Sequence, residues 1–215
     1  FEVKREDAEI KGITSGGIDF SVKNGYYGNT VFSIPFIARY QVMNASLVLK
    51  TVEVLKQQIS IPEDAVKKGL LETRWQGRME TVLPGVIVDG AHNEDGVEKF
   101  VETAEHFQKK YPLTLLFSAV DDKDYTDMIR TILGRIRFRH VVVTQVGGYR
   151  KVPTEELAEI FRREGCPSAQ AFEDTEAAFR AALSLKGEDG MLFCVGSLYL
   201  VGEIKELLRK EDAND

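Results

Sequence analysis

The feature that most constrains this chain is a series of short, continuous apolar runs in its second half. The runs cover residues 85–89, 113–120, 140–146 and 190–195, and a weaker run, AQAFED, covers 169–174. Strands that are covered on both faces read this way, whereas a half-exposed strand alternates apolar and polar residues. We therefore predict an α/β fold with a mostly parallel, Rossmann-like sheet.

Amphipathic segments separate these runs, because their apolar residues recur at spacings of three and four, the period of a helix with one buried face. The apolar stripes of the predicted helices are Val97, Phe100, Val101, Ala104 and Phe107; Tyr125, Met128, Ile129 and Ile132; Leu157, Ile160 and Phe161; Ala178, Ala181, Ala182 and Leu185; and Val201, Ile204, Leu207 and Leu208. Strands that alternate with such helices predict βαβ units with helices on both faces of the sheet.

The region before these units has another pattern. The stretches FEVKRE, IDFSVKNG and TVFSIPF predict short antiparallel strands, with Asn24-Gly25 as a hairpin dipeptide. Apolar residues at helical spacing then predict a helix over 41–58, and a short helix that begins at Pro62 leads into a linker. We place the domain boundary near Leu71 and expect one domain in residues 1–72 and another in residues 73–215.

The composition limits the partners and the compartment. The net charge is −6, with acidic and basic residues interspersed, so we expect no nucleic-acid partner and no anionic membrane surface. No run approaches the roughly 20 apolar residues that span a bilayer. Cys166 and Cys194 lie outside any C-x-x-C spacing, which favours reduced thiols and a cytoplasmic protein. The first residue is Phe1 and not Met, so we expect a piece of a longer protein.

Polar residues follow the apolar runs, where the carboxyl ends of parallel strands meet at one edge of the sheet. The four runs are followed by Gly90-Ala91-His92-Asn93, by Asp121-Asp122-Lys123-Asp124, by Gly147-Gly148-Tyr149-Arg150 and by Gly196-Ser197. Glycines, cations, hydroxyls and carboxylates would therefore converge there. The sequence predicts a ligand site at this edge.

The loop after residue 89 has several interpretations. Asp89 would accept hydrogen bonds from a ribose diol or would cap the turn. His92 would contact phosphate or transfer a proton, or it is an ordinary loop histidine. Asn93 is best explained as the N-cap of the next helix. Glu94 and Asp95 in the first turn would repel a phosphate, so we expect no phosphate grip by this helix.

Arg78 and Ser197 are the other candidates at this edge. Arg78 suits bidentate phosphate recognition, and the alternative is a surface salt bridge with Glu80. Ser197 would donate to a carboxylate or cap the last helix. No G-x-G-x-x-G, Walker or G-x-S-x-G motif is present, and the spacing of the histidines does not suit a metal, so we assign no metal ligand.

Four stretches together resemble folylpolyglutamate synthase, a member of the Mur ligase superfamily. GRMETVLPGVIVDGAHNEDGVEKF resembles the start of that family's C-terminal domain, with its G-R-x-E and D-G-A-H-N segments. FSIPFIARYQVMNASLVL is similar to its central-domain segment, FSAVDDKDY to its F-G-x-x-x-D-K-D, and VGSLYLVGEIK to its G-S-L-Y-x-x-G-E. The order and spacing agree over nearly the whole chain.

The resemblance implies a fragment of the family's central ATPase domain, followed by its C-terminal Rossmann-like domain. It implies that Asn44 contacts adenine, Arg78 the nucleotide phosphates and Asp89 the ribose. His92 would face the phosphates and the incoming amino acid, and Lys123 would lie at the same edge, so we take both as catalytic candidates. Ser197 would hold the glutamate.

The implied enzyme is an ATP-dependent ligase. ATP phosphorylates the terminal carboxylate of a folate, and L-glutamate attacks the acyl phosphate to form an amide. The resemblance implies ATP and Mg²⁺ as cofactors, and ATP, L-glutamate and folate as partners of a monomeric enzyme.

The chain departs from the family pattern in five places. Tyr40 replaces His, Ala38 replaces Gly, Gln76 replaces Pro and Glu94 replaces Pro, and the segment GGYRKV is only loosely similar to the family's P-R-A. The family's glycine-rich ATP loop, magnesium ligands and modified lysine precede the region present here. We therefore expect this piece to bind ATP weakly and to catalyse nothing alone. The alternatives are another Mur-superfamily ligase, of the cell-wall or cyanophycin type, and a non-catalytic Rossmann-like interaction module.

Overall fold

The structure, a computed structural model, describes residues 4, 7–14, 16–146 and 148–213. The chain divides into two compact units, of which the first ends at Gln76 and the second begins at Gly77. In the described residues, the helices are all too short or too polar to cross a membrane. Cys166 and Cys194 are free thiols, and only Cys194 is buried.

The first unit is a three-stranded antiparallel sheet with two helices. Its elements are β1 Ala8–Thr14, β2 Gly17–Val22, β3 Val31–Ile34, α1 Gln41–Leu55 and α2 Glu63–Glu72. The strands pair in the order β1-β2-β3. The helices cover one face of this sheet, where Phe20 and Phe32 pack with Leu49 of α1 and Leu70 of α2.

The predicted antiparallel strands and helices of this region are present, with three differences. Strand β1 was not expected from the sequence, and the FEVKRE stretch lies largely outside the described residues. Asn24-Gly25 does not form a two-residue hairpin, because eight residues, 23–30, join β2 to β3. Helix α2 is not part of a linker, because Val66 and Leu70 are buried in the core of the unit.

The second unit is built on a six-stranded sheet in the order β4-β5-β9-β6-β7-β8. The strands are β4 Glu80–Leu83, β5 Val86–Asp89, β6 Leu113–Phe117, β7 His140–Thr144, β8 Gln170–Phe172 and β9 Met191–Val195. All neighbours are parallel except β4 and β5, which pair antiparallel. The edge strand β4 was not predicted. Strand β6 ends at Phe117, three residues before the end of the apolar run 113–120 that contains it.

Helices cover both faces of this sheet, as the pattern of the sequence predicts. They are α3 Glu94–Gln108, α4 Tyr125–Arg135, α5 Thr154–Arg163, α6 Thr175–Lys186 and α7 Leu198–Asp212. Successive residues of a strand point to opposite faces. Cys194 packs with α6 and α7, whereas its neighbour Phe193 packs edge-on against Phe100 and Phe107 of α3. The predicted α/β fold is confirmed.

Candidate functional site

Asp89, the last residue of β5, holds two loops together at the carboxyl edge of the sheet. Its Oδ1 accepts a hydrogen bond from the Ala91 N–H at 2.8 Å, and its Oδ2 accepts one from the Met79 N–H at 2.7 Å. The side chain is 3% exposed, and this burial raises the pKa of Asp89 to about 6. The two N–H donors and the positive charge of Arg78 oppose that rise, as does His92 in its protonated form. Asp89 therefore caps the turn at Gly90-Ala91, which was one of its two predicted roles.

The segment before β4 is fixed at several points. The Gly77 carbonyl accepts from the Gly90 N–H at 2.8 Å, and the Gly77 N–H donates to Glu80 Oε2 at 2.7 Å. Gly77 has a φ of +66° and Met79 a φ of +46°, in the left-handed region that is costly for a residue such as methionine. Met79 remains there because its amide is bound by Asp89 and its side chain is buried.

Arg78 lies between these fixed residues. Its side chain is half-buried, and it makes no hydrogen bond or ion pair with the other residues that the structure describes. The salt bridge with Glu80 that the sequence left open is absent, because Glu80 accepts from Gly77 and from Lys205 of α7, whose Nζ lies 2.7 Å from Glu80 Oε1. The backbone on both sides of Arg78 is thus fixed, and the guanidinium remains available to an anion.

The loop after β5 contains His92 and Asn93. His92 Nδ1 lies 2.7 Å from the Gly90 carbonyl, so this nitrogen carries the proton and donates it to that oxygen. The other ring nitrogen, Nε2, is then an acceptor in the neutral ring. The Asn93 side chain accepts from the Gly96 N–H at 2.9 Å and caps α3, so the predicted N-cap is confirmed.

Two glycines allow close approaches along this edge. A Cβ on Gly90 would lie 2.2 Å from Leu198 Cδ2, so this glycine lets the first residue of α7 pack on the Asp89 loop. A Cβ on Gly196, whose φ is +111°, would lie 2.1 Å from the Ser118 carbonyl oxygen. Gly196 needs glycine because a backbone oxygen blocks its Cβ and its φ is positive, whereas a side chain at Gly90 would have to displace Leu198.

Ser197, Lys123 and Arg150 occupy the other part of the edge. Ser197 is 2% exposed and caps α7, since its Oγ accepts from the Tyr199 N–H at 3.1 Å. Tyr199 accepts in turn a hydrogen bond from Arg150. Arg150 also pairs with Asp122, whose carboxylate lies 3.8 Å from Lys123 Nζ. The residues that follow three neighbouring strands are therefore linked, as the strand-end pattern predicts.

Asn44 belongs to the first unit, on the exposed side of α1. It lines an apolar cavity of about 390 Å³ with Phe36 and Trp75, and its side chain donates to Gln41 Oε1 at 2.7 Å. A flat aromatic ligand would find apolar walls and two amide side chains here.

Among the described residues, no group of three or more His, Cys, Asp or Glu side chains could hold a metal ion. These residues therefore do not fit a Mg²⁺ site. No step that follows depends on the metal.

With its doubly wound sheet and polar carboxyl edge, the second unit is a Rossmann-like α/β domain. Residues 77–198 match the family model described as Mur ligase, glutamate ligase domain. This match covers more than half of the chain, and the chain belongs to the Mur ligase family.

Relatives of this chain have more specific names, and a solved relative has the same fold. A dihydrofolate synthase/folylpolyglutamate synthase of Bacillus subtilis is 32% identical over 181 residues, which are 80% of this chain and 40% of that protein. A folylpolyglutamate synthase of Mycobacterium tuberculosis, solved with ADP and AMPPCP, aligns with a TM-score of 0.76 at 25% identity, over 94% of this chain and 48% of that chain. A UDP-N-acetylmuramoyl-L-alanyl-D-glutamate–2,6-diaminopimelate ligase of Prochlorococcus marinus is 32% identical over 62% of this chain and 27% of that protein. The chain thus spans less than half the length of these relatives.

Sequence reasoning missed the residues that support the site. Glu80 was considered only as a partner for Arg78, and Lys205, which pairs with it, lies 125 positions away. A carboxylate three residues after a glycine was the one signal for Glu80, whereas no sequence signal pointed to Lys205.

Proposed function

We propose that the chain is the C-terminal part of an ATP-dependent ligase that adds L-glutamate to the terminal carboxylate of a folate through an acyl phosphate. The family match and the names of the relatives support this proposal. The observation that carries it is Arg78, whose backbone lies between two fixed residues and whose guanidinium makes no hydrogen bond or ion pair with the described residues.

In this proposal Arg78 contacts the nucleotide phosphates, for which a planar guanidinium is well suited. Asp89 contacts the ribose in addition to its structural role, because each carboxylate oxygen that accepts one N–H has a second lone pair. Asn44 contacts the adenine ring, and the apolar cavity beside it is of a suitable kind for such a ring.

His92, Lys123 and Ser197 serve the transfer step. The Nε2 of His92 accepts a proton or faces the phosphates, and the Lys123 ammonium stabilises negative charge that develops on the transferring phosphoryl group. Ser197 is buried as a helix cap, and its hydroxyl proton remains available to donate to a glutamate carboxylate. The complete enzyme would be a cytoplasmic monomer with ATP, L-glutamate and folate as partners.

The first unit is, in this proposal, part of a larger central ATPase domain. The exposed side of α1 supports it, since Leu47 and Val48 are 54% and 47% exposed although the opposite side of the helix is packed in the core. A helix that is apolar all round is usually buried on all sides.

The test compares nucleotide binding in the 215-residue chain and turnover in a longer protein that includes the rest of the family's length. We expect weak ADP binding by the chain that Arg78→Ala abolishes, with Arg180→Ala as the control because the exposed Arg180 side chain pairs with the exposed carboxylates of Glu176 and Glu211. We expect glutamate-dependent and folate-dependent ADP release only from the longer protein. Glutamate-dependent ADP release by the chain alone would contradict the expectation that this piece is inactive.

The similarity to a diaminopimelate ligase favours one second candidate, an amino-acid ligase of cell-wall type. The amino acid that stimulates ADP release in the longer protein separates the two. Unchanged ADP affinity in a chain with both Asp89→Ala and Arg78→Ala would instead indicate a non-catalytic interaction module.

A further inference from the structure

The segments that follow β9, β6 and β7, three neighbouring strands of the sheet, come together around Arg150. The segment after β9 contributes the first turn of α7, and the other two segments are loops. The loops after β6 and β7 are joined through their backbones, because Val120 forms an antiparallel bridge with Lys151 and the Asp121 N–H donates to the Arg150 carbonyl at 3.0 Å. The position of the Arg150 backbone is thus tied to the segment that contains Asp122 and Lys123.

The Arg150 side chain contacts the first turn of α7 and the loop after β6. Its Nη2 donates to the Tyr199 hydroxyl at 2.7 Å, and its guanidinium lies 5.7 Å from the centre of the Tyr199 ring. Its Nη1 donates to Asp122 Oδ2 at 3.3 Å. These contacts fix the guanidinium from two sides.

The same oxygen, Asp122 Oδ2, also forms an ion pair with Lys123, at 3.8 Å from its Nζ. Arg150 and Lys123 therefore share one carboxylate, and the shorter contact belongs to Arg150. Without Arg150, the Asp122 carboxylate would pair with Lys123 alone. The side chains of Arg150, Lys123 and Asp122 are 35%, 34% and 46% exposed, so they have room to move toward each other.

We propose that Arg150 is a positioning residue, which occupies the Asp122 carboxylate and so keeps the Lys123 ammonium available to an anionic oxygen of a substrate. The part that concerns the substrate rests on the proposed function, in which Lys123 faces the reacting groups. The anionic oxygen belongs to a nucleotide phosphate or to the carboxylate of the incoming amino acid. Arg150 itself touches neither in this role.

The first experiment needs no ligand. Brief labelling of the 215-residue chain with acetic anhydride, followed by mass spectrometry, reports the reactivity of each lysine amine, with Lys68 of α2 as an internal reference. An ammonium that is paired closely with a carboxylate gives up its proton less readily and reacts more slowly. We expect Arg150→Ala to slow the labelling of Lys123 about two- to fivefold, the range for an exposed ion pair.

Three further variants test whether the slower labelling of Lys123 is caused by its pairing with Asp122. Arg150→Ala combined with Asp122→Asn should restore the labelling of Lys123 to the wild-type rate or above it, because no carboxylate is left to pair. Arg150→Lys should give an intermediate rate, and Arg180→Ala should leave the rate unchanged. An unchanged rate in Arg150→Ala, or an equally slow rate in the double variant, would overturn the proposal.

The second experiment identifies the ligand. NMR titrations with ADP and, separately, with L-glutamate are compared for Lys123→Ala and Arg150→Ala. We expect both variants to weaken the same ligand, and the double variant Arg150→Ala with Asp122→Asn to recover its binding. If the labelling behaves as expected but Lys123→Ala weakens neither ligand, the proposed role of Lys123 fails while the competition for Asp122 stands.

Discussion

Replacement of Asp89 by Asn tests the buried carboxylate at the centre of the site. The variant keeps the shape of the side chain and removes its charge. Burial raises the pKa of Asp89 from 3.8 to about 6, and a tenfold change in an equilibrium constant corresponds to about 1.4 kcal/mol. The rise therefore corresponds to about 3 kcal/mol of proton-linked stability.

The sign follows from the higher pKa in the folded state. Between pH 3.8 and about 6 the folded protein binds the proton more tightly than the unfolded chain does. This stabilisation is complete below pH 3.8 and is lost as the pH rises through 6. The free energy of unfolding of the wild type, minus that of Asp89→Asn, should fall by about 2 kcal/mol between roughly pH 4.5 and 7.5.

The assay is urea unfolding of both proteins at several pH values, followed by far-ultraviolet circular dichroism. Tryptophan fluorescence is unsuitable, because the only tryptophan, Trp75, belongs to the first unit. The difference between the proteins cancels the titration of groups that they share. A difference that stays constant over this pH range would refute the reasoning, as would a ¹³C NMR titration of the Asp89 carboxyl with a midpoint below 4.

Four further changes have defined expectations. Gly196→Ala should destabilise the chain by about 2 kcal/mol or more, because its φ is positive and its Cβ would meet the Ser118 carbonyl oxygen. Gly134→Ala in α4 has open space for its Cβ and should stabilise the chain by about 0.5–1 kcal/mol. Thermal unfolding measures both changes. Asn93→Ala should cost about 1 kcal/mol by removal of the α3 cap, and an unchanged unfolding midpoint in urea would contradict that role. Leu47→Gln should reduce self-association of the chain in sedimentation, and equal association would show that the exposed side of α1 is not adhesive.

The sequence predicted the layers of the second unit because buried parallel strands and one-sided helices leave strong periodic signals. The run at 191–195 and the stripe from Val97 to Phe107 are examples, and both lie in the core. Strand β4 left no such signal, since its four residues are partly exposed and pair with β5 across a tight turn. The edge that carries the site followed from topology, because parallel strands bring their carboxyl ends together.

The contacts within the site could not be predicted in this way. Glu80 is two residues from Arg78, and proximity along the chain suggested that they pair, yet in the structure Glu80 faces Lys205. The hydrogen bond between Arg150 and Tyr199 joins residues 49 positions apart, and it depends on how the loop after β7 packs against the start of α7. Such pairs are determined by tertiary packing, which a pattern of residue types does not encode.

The three residues 77–79 have a consequence for how this protein could be altered. Gly77 is bound through both its N–H and its carbonyl, and Met79 through its N–H and its buried side chain, whereas the half-buried side chain between them makes no hydrogen bond or ion pair with the described residues. The hydrogen bonds that hold this backbone therefore do not depend on the side chain at position 78. A library of side chains at that one position would change the charge and reach of the loop while these hydrogen bonds stay in place, so the position is suited to the redesign of ligand recognition.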